Sequence, residues 1–309
     1  MEQNDRILIR NLVIATVMGI LMSRLSIGSM LMTVPLLIAC YHEYNIKRVV
    51  TSFVVLLLAV VTWIVIEGRD LLGTEYWPYL LVALLVPVAT IIGSAVWAGT
   101  KSLSSSLMRR FFWACIPTFV MGLVVALFFT TKASEPTKQL MEATVLYLFP
   151  SDQLGIDISS SVALVVQMAC YFYAPLCILM LAISVVISDC LSSRNDQQWQ
   201  FDFANMKFPD SYVWVFLVSL VLVLVHNFVP AIPEIIGVIV WNLALSMAIL
   251  YGVAGVSILV ALARKRSTNI TATRIVATVF VFCLLPGLNI IVLLGLPILG
   301  VLETWIKFR

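Results

Sequence analysis

Charge is what this sequence is short of. Only 11% of its 309 residues are Asp, Glu, Lys or Arg, whereas a soluble domain carries about 25%, and that deficit excludes a globular surface clothed in water. Histidine is almost missing too. His42 and His226 are the two in the chain, and they fall on opposite sides of a membrane in the topology derived below, which excludes a histidine metal pair. HExxH, GxSxG and Walker A patterns are absent, so the sequence offers no zinc-peptidase, serine-hydrolase or ATP-hydrolysing signature. The cysteines, at positions 40, 115, 170, 177, 190 and 283, form no CxxC pair and sit mostly inside apolar runs. That placement fits small buried residues better than redox or metal chemistry. A basic stripe with interleaved aromatics is lacking as well, so nucleic acid is not an expected partner.

What the chain has in quantity is apolar sequence, 61% of all residues, with a mean hydropathy of +1.05. Polar spacers interrupt runs close to the length of a bilayer crossing, roughly 17 to 25 residues. A β-barrel would alternate, and TSFVVLLLAVVTWIVI does not. The first run, ILIRNLVIATVMGILMSR, leads straight into a second apolar run without a cleavage site and reads as a retained helix. The fold class expected is therefore all-α, a polytopic transmembrane helix bundle of eight to ten membrane segments forming a single integral membrane domain over 1–309. Crossings are expected near residues 8–24, 27–41, 49–66, 77–98, 111–131, 160–188, 211–229, 235–262, 275–288 and 290–304. The last two are split by PGLN at Pro286 to Asn289 and read either as a tight hairpin or as a re-entrant element.

With ten crossings and an inner N-terminus, fifteen of the bases fall on inner segments and only Arg24, Arg69, Lys132 and Lys138 on outer ones. That bias places both termini in the cytoplasm and the chain in the cytoplasmic (inner) membrane. Two polar stretches stand out. Residues 132–159 form the longest outer segment, where Leu140, Val145, Leu148 and Phe149 line one side of a short helix expected from Thr137 to Phe149, lying on the interface or capping the bundle. The inner segment 189–210 sets Trp199, Phe201, Phe203 and Phe208 into polar sequence, and reads as an interfacial anchor or as a docking surface.

Small residues at four-residue spacing let membrane helices approach closely. Ala15 and Gly19 make one such face, and Ala244, Ala248 and Gly252 another; each is either internal packing or an interface to a separate membrane subunit. Polar residues within apolar runs are functional suspects. Gln167, Asn242, His226 and Asn227 are the ones here. A solute pocket in the outer half would draw on Arg24, Trp77, Gln167, Tyr171, Tyr173, His226 and Asn227, an aromatic wall with a few convergent polar groups. The competing reading makes these aromatics belts and core. No catalytic cluster emerges, so an enzyme is not expected, nor is a cofactor or metal.

The C-terminal part carries KFPDSYVWVFLVSLVL at Lys207 to Leu222, Asn242, YGVAGVSILVALARKR at Tyr251 to Arg266 and the closing GLPILGVLETWIKFR. These stretches resemble the DUF2232, or YybS-like, bacterial membrane proteins, with Gly300, Glu303, Trp305, Phe308 and Arg309 matching that family's terminal pattern. The resemblance is clearest over residues 205–309. It implies similarity to the S components of energy-coupling-factor transporters: a solute-binding bundle in the lipid bilayer, working with a transmembrane coupling subunit and separate ATPases. By position, Ala15 and Gly19 would then be the face toward the coupling subunit. The alternative is a non-transport scaffold of an envelope complex. At the terminus itself, Glu303 lies four residues before Lys307, a spacing for a weak helical pair. A desolvated Glu303 would need a stronger partner, with Arg110, Arg264 and Arg274 as candidates, and Glu303, Trp305 and Arg309 would form a structural clasp on the last helix.

Overall fold

Apolar runs without water to satisfy their backbones have one local solution, in which each N–H bonds the carbonyl four residues earlier. The computed structural model describes residues 2–309 apart from 26–27, 42, 44, 75, 104–105, 149–157, 194–195, 230 and 267–270, and the described residues contain helix and no strand. The helices are α1 (Glu2–Met22), α2 (Val34–Cys40), α3 (Ile46–Glu67), α4 (Trp77–Gly99), α5 (Leu107–Phe128), α6 (Ser134–Leu148), α7 (Ile158–Ser192), α8 (Gln197–Ala204), α9 (Tyr212–Phe228), α10 (Glu234–Arg266), α11 (Ala272–Leu284) and α12 (Leu288–Leu302).

Each apolar stretch seen in the sequence carries helix, but length sorts them. Five helical runs are long and apolar enough to cross a membrane: Ile46–Glu67, Trp77–Gly99, Leu107–Val145, Ile158–Ser192 and Glu234–Arg266. The apolar helices Gly28–Cys40, Tyr212–Phe228, Ala272–Leu284 and Leu288–Leu302 are shorter. With 13 and 15 residues, α11 and α12 each rise only about 20 Å, less than a hydrocarbon core of about 30 Å. Gly287, at φ 85°, makes the turn between them.

One expectation is corrected by continuity. The stretch expected to start a separate interfacial helix at Thr137 instead prolongs α5, because a π turn at Phe129–Ala133 carries the helix through into α6 without a break. The threonines and serine of this passage feed their hydroxyls to carbonyls four residues back, as Thr130 does to Ala126 and Ser134 to Thr130, so the polar composition is absorbed along the helix. Phe149 lies outside the described residues.

The two longest helices, α7 and α10, pack on one another and carry the most buried residues. Around them α4 and α5 form one flank and α9 and α12 the other, while α2 packs on α7 and α3 on α4. Side-chain caps mark where several chains of helix begin. Asn45, Ser106, Asp196 and Thr271 accept from backbone N–H groups in the first turns of α3, α5, α8 and α11. These four starts lie at one end of the bundle, the end that also holds Lys101, Arg110 and Arg309, hereafter the basic end.

The α10–α12 seam depends on glycine. A Cβ on Gly255 would strike the carbonyl of Leu296, and one on Gly300 the carbonyl of Tyr251; backbone atoms cannot rotate aside as a flexible side chain can. Gly300→Ala or Gly255→Ala is therefore expected to destabilise by about 1–3 kcal/mol. A thermal melt in detergent checks this, and an unchanged midpoint for both would show that the seam has slack.

Candidate functional site

The residues expected to gather around an outer solute are distributed over separate local partnerships. Arg24 stands over the Trp63 ring, its Cζ 3.1 Å from the centroid, and pairs with Glu67 at 2.8 Å, both on α3. Trp77 packs its ring against Phe128 at 5.5 Å, and Tyr173 against Phe129 at 5.2 Å. Gln167 donates to the Tyr171 hydroxyl at 2.9 Å, and Tyr171 stacks on Trp241 at 5.5 Å. His226 sits so close to Gly237 on α10 that a Cβ there would overlap the imidazole, while Asn227 is exposed. The Gln167–Tyr171–Trp241 group is a true cluster. The sequence placed these residues at a common depth but could not give their angles around each helix.

The small-residue faces are used within the chain. Ala15 is buried in the core, and Gly19 lies against the carbonyl of Met32 and the side chain of Leu56. Ala244 packs with Val223 and Val240 between α9 and α10, Ala248 is partly buried against the main core, and Gly252 meets Pro297 of α12.

Asn242 has a different role from the other polar suspects. It is fully buried, accepts from the Ala174 N–H at 2.9 Å through Oδ1, and donates through Nδ2 to the carbonyls of Cys170 and Val238 at 2.8 Å each. The Ala174 N–H and the Cys170 carbonyl are the two groups an uninterrupted helix would pair with one another. They lie in the turn before Pro175, which removes a backbone donor from α7 and crowds the carbonyl of Tyr171, four residues back. Asn242 thus splints the weakest turn of α7 from α10. On the other side Gly122 of α5 comes in so near that a Cβ would stand 2.6 Å from the Ala174 Cα.

At the basic end, the C-terminal residues form a tight polar knot. The guanidinium of Arg309 takes both oxygens of Glu303, donates to the carbonyls of Ala204 and Met206, and reaches the Ser257 hydroxyl at 2.8 Å. All five of its N–H donors are directed at acceptors. Glu303 is only 4% exposed. The base facing it is Arg309, not Arg110, Arg264 or Arg274, and the helical Glu303–Lys307 spacing does not arise because α12 ends at Leu302. Trp305 is 57% exposed and takes no part in these bonds.

Beside this knot, α8 folds onto the bundle. Trp199, Phe203, Ala204, Met206 and Phe208 are buried, and Trp199 stacks on Phe203 at 5.2 Å, whereas Phe201 stays 57% exposed. Most of the apolar content of the 189–210 segment is thereby spent on the protein's own core. Arg194 lies outside the described residues.

Docking of α8 closes one side of a charged chamber of about 170 Å³. Its floor includes Cys40, Trp97, Asp189 and Trp199, and Tyr41, Lys101, Arg110, Asp196, Gln198 and Asp202 complete the polar lining. Charges of both signs line it, and Asp189 acts on both Arg110 and Lys101. Lys101, from the α4–α5 connection, lies 3.9 Å from the Tyr41 ring and bonds the Tyr41 carbonyl. Arg110, from α5, stacks at 4.2 Å over Trp97 and donates to its carbonyl at 3.1 Å. Its Nε is buried without a hydrogen-bond partner among the described residues. The acids come from α7 and from α8 with its cap. Asp189 accepts from the Trp199 indole at 3.2 Å, Asp196 from the Tyr41 hydroxyl at 3.3 Å, and Asp202 from the Gln198 amide at 2.9 Å. Burial, and then the charge of Arg110, hold the Lys101 ammonium below its ordinary value. Burial, with the Asp196 charge adding to it, pushes the Tyr41 phenol up to about 12, so the phenol is a hydrogen-bond donor throughout the physiological range.

The sequence reading missed this chamber. Its members come from separate segments; Lys101 entered that reading as a topology signal, and Arg110 as a topology signal and a candidate partner of Glu303. The available sign was Asp189, an acid placed at the end of an apolar run. Comparison with family models, with curated proteins and with solved structures gave no match.

Proposed function

We propose that the protein is an S-component-like membrane subunit that binds a small polar solute and depends on separate partner subunits, a transmembrane coupling protein and ATPases, for energised movement. The observation that carries this reading is the charged chamber at the end of the bundle: Arg110 and Asp189 stand on its long apolar helices, where ionisable groups are expensive and mark solute or ion paths. The site therefore moves from the expected outer position to the basic end, which the positive-inside bias assigns to the cytoplasm. In this reading α1, the α2 segment, α3, α4, α5, α7, α9 and α10 cross the bilayer, and the short α11–α12 hairpin enters and leaves on the cytoplasmic face. The S-component part of the reading rests on the resemblance of the terminal pattern to the DUF2232 family.

Purification from native membranes tests it. Mass spectrometry is expected to find a small polar solute together with ABC-type ATPases. Recovery of neither would leave the scaffold reading, for which Phe201 and Leu191, both exposed at the basic end, would be the docking residues. The topology has its own check: in a cysteine-free background, Lys132→Cys should react with an impermeant external thiol reagent and Arg266→Cys should not. The reverse pattern would overturn the orientation.

A further inference from the structure

We propose that the chamber recognises a small zwitterion, a molecule of about five to eight heavy atoms with a carboxylate at one end and an ammonium at the other. This rests on the solute-binding reading above and names the ligand class.

Size sets the first bound. A cavity of about 150 Å³ holds benzene, six heavy atoms, and this one measures about 170 Å³. Charge sets the second. A simple anion attracted to Lys101 and Arg110 would also meet Asp189, Asp196 and Asp202, and a simple cation would meet the two bases, all in the same small space. A solute carrying both signs avoids each conflict, provided its ends are separated in the direction in which the walls are separated. The bases come from the α4–α5 side and two of the acids from α8 and its cap, while the third acid, Asp189 of α7, lies near enough to Arg110 for each charge to act on the other.

Local hydrogen bonding fixes the orientation. The buried Nε of Arg110 lacks an acceptor among the described residues, and a buried N–H left unmade costs about 1–3 kcal/mol, more for a charged group. A carboxylate directed to Arg110 supplies the missing acceptor. The guanidinium is already placed by the Trp97 ring, 4.2 Å from its Cζ, and by the Trp97 carbonyl, ready for a charge-assisted contact. The ammonium then lies toward Asp202 and Asp196, which are exposed at the rim, while Asp189 is held by the Trp199 indole.

The test uses the full chain in lipid nanodiscs, with titration calorimetry of glycine, β-alanine and γ-aminobutyrate against two single-charge analogues, butyrate and butylamine. At least one of the three zwitterions is expected to bind tenfold or more tightly than either analogue. Arg110→Gln should weaken that zwitterion and butyrate by tenfold or more and leave butylamine unaffected. Asp202→Asn, at the exposed rim, should weaken the zwitterion and butylamine and leave butyrate unaffected. Thermal melts of both variants identify any that fail to fold, and the analogue comparison on the unaltered chain stands without them. Butyrate binding as tightly as the zwitterions would overturn the proposal in favour of an anion site. Absence of binding by all three zwitterions would overturn it too. If a solute and ATPases still copurified from native membranes, only the ligand class would have failed; if neither did, the solute-binding reading would have failed with it.

Discussion

Asn242→Leu is expected to lower the melting temperature in detergent by about 10 °C, while Gln167→Leu, another amide-to-leucine exchange within an apolar run, shifts it by about 2 °C or less. The two residues look equivalent in sequence. Asn242 is 0% exposed and makes three hydrogen bonds to backbone groups of α7 and α10, so leucine removes three bonds of about 1 kcal/mol net each. A kcal/mol corresponds to roughly 2–4 °C in a chain somewhat smaller than this. Gln167 is exposed and bonds only the Tyr171 hydroxyl, a net contribution of about 1 kcal/mol. Asn242→Ala is a useful companion, because a water entering the space could take over those backbone groups and recover part of the loss. Equal midpoints for the two leucine variants would sink the splint interpretation of Asn242.

The second large effect is expected at Arg309. Removing one member of a buried, hydrogen-bonded ion pair costs about 3–5 kcal/mol, because the other charge is left uncompensated. Arg309→Gln strands the Glu303 carboxylate and withdraws the donors that hold Ala204, Met206 and Ser257. A fall of about 10 °C in the detergent melt is the expected reading. Glu303→Gln should be milder, since an amide oxygen can still accept from the guanidinium. The double variant should lie above the sum of the two single losses, because neither charge is then stranded. Trp305→Ala, outside the knot, should change the midpoint by only about 1–2 °C. Strict additivity of the two single variants would show that they do not act as a pair.

The location of helix was readable because hydropathy reports a condition every membrane residue must meet, exclusion of unpaired backbone from lipid. The α5–α6 passage was not, since its polar residues resemble an outer loop and only hydroxyl-to-carbonyl bonding along the helix explains how they remain in it. Glu303 was legible as an acid in want of a partner, yet its partner was misplaced: a candidate base was sought on neighbouring loops, while the chain turns after Leu302 and returns Arg309. For the solute residues, depth in the bilayer follows from counting along a run, but rotation around the helix axis depends on packing. Arg24 consequently faces Trp63 and Glu67 rather than a pocket. The chamber needed α8 to be seen docked on α10 and α11, with Trp199 reaching Asp189 of α7, and no local pattern encodes that docking.

The shortness of α8 has a further consequence. A helix of 8 residues is well below the dozen or more needed for even marginal stability alone in water. Its helical form is therefore borrowed from the surfaces it touches: the aspartate cap at its start, the buried Trp199 and Phe203 along its length, and the Arg309 bond to Ala204 at its end. Such a segment has no stable halfway state. It is either seated and helical or released and unstructured, in the manner of a latch, and because it supplies one wall of the charged chamber, the chamber exists as a shaped space only while the latch is shut.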